Sequence, residues 1–264
     1  MKTMEFRYYL KIEFDCPVTQ HSFTVKCVPQ SDDRQKIIEQ NIHILPREFL
    51  CENRDSFGNS YFFGKAQLPH TLFEVVSEGT AQTGLAKGTK AGAPYQLGMF
   101  AGQTPYTEPG RDLRAFFDSL TFGEEQSGLE KSLMIMEALR GQFAYVQGKT
   151  DISTTAQQAW NIGCGVCQDY SHIMLSLCRM AGIQSRYVVG MLLGEGLSHA
   201  WVEVADRGVW YGLDAANGVQ VLEDHIKISH GRDYADCLIN QGVFTGNARQ
   251  LQEVSVSVKQ IETK

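Results

Sequence analysis

Between Phe6 and Val76 apolar residues alternate with polar ones: Tyr8, Leu10, Ile12 and Phe14, then Phe23, Val25 and Cys27, then Phe62 and Phe63, then Leu72 to Val76. A period of two in β-branched and aromatic residues predicts antiparallel strands. Asp55-Ser56-Phe57-Gly58-Asn59 reads as a turn between two of them. Residues 1–80 are thus expected to form a small antiparallel β domain. Five glycines, at 79, 84, 88, 92 and 98, with few large apolar side chains, mark 81–98 as a Gly-rich linker. Beyond it the period becomes helical. Leu113, Phe116, Phe117 and Leu120 follow Pro109, and Leu129, Leu133, Met136 and Leu139 form a longer amphipathic set. Thr154 with Gln157 matches a capping box for a short helix over 156–160. Val166, Tyr170, Ile173, Met174, Leu177, Cys178 and Ala181 predict a third helix, closed by Gly182. Strands follow at 186–193, 199–204, 209–213, 219–222 and 254–258. Helices followed by antiparallel strands make residues 99–264 an α+β domain.

Composition narrows the classes of function. The chain has 264 residues, 43% hydrophobic and 20% charged, which excludes a disordered or coiled-coil chain. Its net charge is −6 and no block of five like charges occurs, so neither nucleic acid nor an anionic membrane is an expected partner. No apolar run reaches the roughly 18–20 residues of a membrane helix. Met1–Phe14 interleaves Lys2, Glu5, Arg7, Lys11 and Glu13 among its apolar residues and offers no signal-peptide core. A cytoplasmic location is expected. Seven cysteines fit free thiols better than a disulfide scaffold.

Two of these thiols stand apart, in Gly163-Cys164-Gly165-Val166-Cys167-Gln168-Asp169. A structural zinc site would need a second ligand pair, whereas His225 and His230 read as members of a distant polar loop. A redox pair would need a strand feeding the loop, whereas a helix is predicted there. A nucleophile needs one thiol. Cys167 falls in the first turn of the 166–181 helix, where unpaired N–H groups and the positive end of the helix dipole stabilise a thiolate. Its own N–H is a candidate oxyanion donor, and Gly163 and Gly165 allow close approach of a substrate. Buried packing is the competing role for such a cysteine.

A base is found on a predicted hairpin. His199, Trp201 and Glu203 share one face of a strand; Ala200, Val202 and Val204 share the other. With Asp206 and Arg207 as the loop, His199 would stand directly opposite Asp214, the arrangement in which a carboxylate orients an imidazole. A bulge at Gly208 would disturb that register. Asp233 and Asp236 are read as a solvated turn sooner than as cleft residues, and Trp160, Trp201 and Trp210 as core sooner than as site walls.

These residues carry a resemblance. Gly165-Val166-Cys167-Gln168-Asp169-Tyr170-Ser171-His172, Leu177-Cys178-Arg179-Met180-Ala181-Gly182-Ile183, Arg186-Tyr187-Val188, His199-Ala200-Trp201-Val202-Glu203-Val204 and Leu213-Asp214 closely resemble the core of the transglutaminase-like superfamily, and within it bacterial cysteine-protease candidates. Residues 55–59 and Gly231-Arg232-Asp233-Tyr234-Ala235-Asp236 resemble flanking segments of the same proteins. The resemblance implies a papain-like fold in the second region, preceded by a small antiparallel β-sandwich domain, and a catalytic triad of Cys167, His199 and Asp214. Cys164, and Ala215-Ala216 where Pro-Thr is common, depart from the pattern; the first raises a regulatory disulfide with Cys167. The expected activity is thiol-dependent acyl transfer on a peptide or protein amide, with no cofactor and no metal. Water as acceptor would give hydrolysis and an amine would give crosslinking. A non-catalytic peptide-binding scaffold and a Cys164–Cys167 redox module are the competing classes.

Overall fold

The structure, a computed structural model, describes residues 1–261. Its longest element is the strand Lys2–Val25, which buries Met4, Phe6, Tyr8, Leu10, Ile12 and Phe14 on one side, as the period of two requires. The first half of this strand lies between His70–Thr83 (Glu13 opposite Leu72, Lys2 opposite Thr83) and Gln250–Ile261 (Thr3 opposite Ile261, Phe14 opposite Gln250). Its register breaks between Glu13 and Val18. From His21 to Val25 the strand instead pairs with Ser60–Ala66, and from Thr19 to Val25 with Asn240–Thr245. One strand thereby serves two stretches of sheet, the break letting it change partners. Gln35–Leu45 and Phe49–Arg54 complete the pairing on the N-terminal side.

The division expected at 80 and 98 differs from this topology in two places. Residues 79–83 lie inside the strand His70–Thr83, and Thr89–Lys90 pairs with Val209–Trp210, so the glycines punctuate paired backbone. Gln250–Ile261 and Asn240–Thr245 return to the N-terminal sheet, which is therefore built from both ends of the sequence. Strand accounts for 46% of the chain and helix for 21%. The chain is sheet-rich, and α+β describes it only in part.

The second region carries a sheet ordered Val219–Gln220, Val209–Asp214, His199–Asp206, Ser185–Leu192, His225–Gly231. Ala200, Val202 and Val204 meet the helices Gly128–Gln142 and Cys167–Met180 through a core that includes Ile135, Leu139, Ile173, Met174 and Leu177. The opposite face meets the N-terminal sheet, where Met191, Ile226 and Ile228 join the cluster of Met4, Phe6, Leu10 and Val256. Trp201 and Glu203, on what a surface strand would leave in water, are buried there at 0% and 1% exposure.

Helix ends follow their sequence signals, with one offset. Ser127 accepts from the Glu130 N–H and Glu130 reaches back to Ser127, opening Gly128–Gln142. The short helix is Ala156–Ile162, and its box is Thr155 with Gln158, one residue beyond the expected Thr154 and Gln157. Gly182, at φ +74°, follows Cys167–Met180 as the left-handed C′ residue.

Candidate active site

Gly163, left-handed at φ +78°, ends the Ala156–Ile162 helix and turns the chain into the two-residue strand Cys164–Gly165. That strand pairs in parallel with Ala144–Tyr145 and lies within the Cys-x-x-Cys itself; the segment that feeds the motif is the helix Ala156–Ile162, as expected. Asp169 then reaches back, its Oδ2 accepting from the Val166 N–H and the Thr150 hydroxyl, each at 2.7 Å. A Cβ on Gly165 would overlap this carboxylate, which explains the glycine. The helix accordingly opens at Cys167, half-buried, with no side chain capping it at Val166. All seven cysteines are free; Cys164 and Cys167 are half-buried, Cys16 and Cys51 exposed, and Cys27, Cys178 and Cys237 buried.

His199 begins its strand opposite Gly190, and Asp214, fully buried, ends the neighbouring one. The hairpin register differs from the expected one. Asp206 pairs with Val209 and Val202 with Leu213, so the loop is Arg207-Gly208, at φ +48° and +79°, in place of Asp206-Arg207. Two positive-φ residues make the tight turn whose twist suits a hairpin. The slip is two residues, an even number, so Asp214 keeps its face and stands diagonal to His199. Their side chains meet, His199 Nε2 lying 2.7 Å from Asp214 Oδ2.

That bond uses Nε2 of His199, and Cys167 is near enough to the imidazole to act on its charge. Burial alone would favour a neutral His199, but the Asp214 carboxylate bonded to it, together with nearby Cys167, outweighs burial and raises the imidazole to about 10. Burial would likewise push Asp214 up. Hydrogen bonds from His199 and His225, the His199 charge and the Asn217 amide hold it far below the usual carboxylate range instead.

Two residues that the sequence reading left out complete this carboxylate. His225 Nε2 lies 3.0 Å from Oδ2, Asn217 Nδ2 donates to Oδ2 at 2.7 Å, and the Asn217 N–H donates to Oδ1 at 3.1 Å. His225 is not in a polar loop: it starts the buried strand His225–Gly231 at 4% exposure. The alternation of Ile226 and Ile228 with Lys227 and Ser229 was the signal that could have placed it. His199, Asp214 and His225 bring one potential ligand atom each within 4.8 Å of the others, the set a two-histidine, one-carboxylate metal site uses. The 2.7 and 3.0 Å contacts have hydrogen-bond lengths, and the Asn217 amide donates to the same oxygen, so the carboxylate is satisfied by protein donors.

The remaining sequence candidates, Trp201 excepted, lie elsewhere. Trp210 is buried away from the site and Trp160 packs on Phe116 with ring centroids 4.5 Å apart, but Trp201, also buried, stands beside the site, its ring centroid 5.2 Å from that of His225 and 6.4 Å from that of His199. Asp233 caps the turn Tyr234–Cys237 through the Ala235 N–H, and Asp236 pairs with Arg232. Among the described residues no helix is long and apolar enough to cross a membrane.

Comparison with known proteins places this geometry in context. The profile of the transglutaminase-like superfamily matches residues 114–215, which include Cys167, His199 and Asp214, and that of the bacterial transglutaminase-like N-terminal region matches residues 4–82. An uncharacterized protein of Mycobacterium leprae is 25% identical over 270 residues, covering 94% of this chain and 95% of the relative. An uncharacterized protein of Mycobacterium tuberculosis is 27% identical over 268 residues, covering 89% and 85%. Among solved structures, a candidate cysteine protease from Cytophaga hutchinsonii shares the fold at a TM-score of 0.77 and 22% identity, over 100% of this chain and 93% of that one.

Proposed function

Because the chain belongs to the transglutaminase-like superfamily, we propose that it performs thiol-dependent acyl transfer on an amide or peptide bond, with Cys167 as nucleophile, His199 as acid and base, and Asp214 as the group that orients His199. The observation that carries this reading is a histidine held by a buried carboxylate close to a thiol: Asp214 Oδ2 lies 2.7 Å from His199 Nε2, and Cys167 joins Asp214 in raising the His199 imidazole. A cysteine needs a base beside it and the base needs a third group to fix its tautomer. The His199–Asp214 bond supports the second of these requirements, and the influence of Cys167 on His199 supports the first.

In the first half-reaction the Cys167 thiolate adds to the carbonyl carbon, and the N–H groups at the uncapped start of the helix face the developing oxyanion. The carbon–nitrogen bond breaks as the His199 imidazolium gives its proton to the leaving amine. A thioester remains. In the second half-reaction His199 takes a proton from water, the hydroxide equivalent adds to the thioester, and the Cys167 thiolate leaves with the carboxylic acid released. An amine in place of water yields a new amide. We infer water as the acceptor and hydrolysis of a peptide or protein amide as the outcome, with Asp214 orienting His199 throughout.

Mass spectrometry tests this directly: the full chain is incubated with glutaminyl peptides and other amides, and Cys167 is examined for a trapped acyl group. Cys167→Ala is expected to remove both the adduct and turnover, and turnover that survives in the purified variant overturns the mechanism. Cys164→Ser separates this reading from a redox module, because acyl transfer survives that substitution and dithiol chemistry does not.

A further inference from the structure

A second polar centre lies on the same sheet, away from Cys167. Glu203, four residues along the strand from His199, is 1% exposed, and its Oε2 receives Arg186 Nε at 2.7 Å, Arg186 Nη2 at 2.5 Å and Lys227 Nζ at 2.7 Å. Arg34 Nη1 lies 3.9 Å from the other oxygen. Three cations thus share one carboxylate. Arg186 and Lys227 are themselves 7% and 9% exposed, so water does little to offset the surplus charge.

The surplus faces a cavity. A space of about 230 Å³ opens between the N-terminal region and the sheet, with Thr89, Lys90, Arg186, Trp210, Lys227 and His230 in its wall. Lys90, Arg186 and Lys227 line it against one carboxylate, Asp32, whose Oδ1 already accepts the N–H groups of Arg34 and Gln35 at 2.8 and 3.0 Å. Behind the wall Arg34 and Glu203 cancel, and Asp33 Oδ2, which accepts from the Lys90 N–H at 2.7 Å, offsets one more cation, so one positive charge is left in excess. The Arg186 guanidinium lies over the Trp210 ring, 4.3 Å from its centroid, which fixes the plane of its donors. Among the described residues Nη1 of Arg186 has no protein acceptor, Lys227 donates only to Glu203, and the buried hydroxyl of Thr89 has no partner. Burial, with Lys227 and Arg186 nearby, also pushes His230 well below its ordinary value, as expected beside uncompensated positive charge.

We propose that this cavity binds a small oxyanion, a carboxylate or phosphate group, with Arg186 and Lys227 as charged donors and Thr89 as hydroxyl donor. The planar guanidinium suits two oxygens of one group, and the ammonium adds a point charge. At 230 Å³ the space is below the range of drug-sized ligand sites, in keeping with a single anionic group or a short organic acid. The site is independent of the chemistry at Cys167.

Isothermal titration calorimetry on the full chain decides it, with inorganic phosphate and acetate as probes and chloride at matched ionic strength as the reference. Saturable binding of at least one probe is expected, with Kd of ~1 mM or tighter, and the tighter probe assigns phosphate or carboxylate as the natural group. Thr89→Val, which keeps the side-chain shape, and Lys227→Met should each weaken binding by about tenfold, while Cys167→Ala leaves it unchanged. Circular dichroism checks that the variants are folded, and if Lys227→Met unfolds, Thr89→Val decides alone. Heats no different from chloride, or wild-type affinity in the folded variants, overturn the site.

Discussion

Asp214 takes four hydrogen bonds, from His199, His225 and both nitrogens of Asn217. Its neighbours all donate, so Asp214→Asn would aim an N–H at other N–H groups or flip the imidazole tautomer. We expect the rate of acyl transfer to fall by roughly 10³–10⁴, measured as turnover of an amide that labels Cys167; a loss below about tenfold would deny Asp214 the orienting role. The same contacts set a pH dependence. His199 is held above its unfolded value of 6.5, so its contribution to stability is complete below that pH and is lost as pH rises through about 10. Asp214 is held below its ordinary 3.8, so its contribution is present above that pH and disappears only in acid. Urea unfolding from neutral to alkaline pH should show a fall in stability that is smaller in His199→Gln, and equal falls in the two proteins would contradict the shift. Cys167, His199 and Asp214 could each be named from the sequence because residue type, helix position and strand parity point to them. His225 and Asn217 could not, since their roles come from the fold around Asp214: the exposed amide of Asn217 reads as turn chemistry, and His225 looks polar until its strand is buried.

At the scale of elements the hairpin 199–214 carries the most consequence. Its turn holds Arg207 at φ +48° and Gly208 at φ +79°. A β-branched side chain at Gly208 clashes with its own backbone, so Gly208→Val should cost about 1–2 kcal/mol, read from urea melts. Arg207→Asn should be neutral or slightly stabilising, because asparagine tolerates this conformation. A stabilising Gly208→Val would rule out the turn described here. The sequence reading placed the loop one residue early, which moves each cross-strand partner by two, because Asp206 is an ordinary turn residue and only the pairing of Val209 with Asp206 excludes it. Parity rescued the inference about Asp214. A similar degeneracy displaced the helix cap: Thr154-Thr155 followed by Gln157-Gln158 offers the same spacing twice, and the backbone selects the second pair. Thr155→Ala should therefore cost about 1 kcal/mol of stability, a loss that would be absent if the cap lay at Thr154.

Across the whole molecule, what the sequence could not convey is long-range pairing. Alternation marks a strand without naming its partner, and nothing between residues 80 and 240 announces that Asn240–Thr245 and Gln250–Ile261 return to the first strand. The core sheet in turn rests Met191, Ile226 and Ile228 on the N-terminal cluster. Residues 99–264 expressed alone should thus expose that apolar face and aggregate, as size-exclusion chromatography would report; a soluble, well-folded fragment would show that the contact is dispensable. The pairing of Thr3 with Ile261, at the far end of a ladder that runs to Phe14 and Gln250, also sets how the protein resists force. Tension applied between residues 3 and 261 acts across the ladder, along the direction of its hydrogen bonds, and loads them one after another. The strand pair would peel open like a zipper at low force, whereas the same two strands pulled lengthwise past each other would share the load across every bond at once.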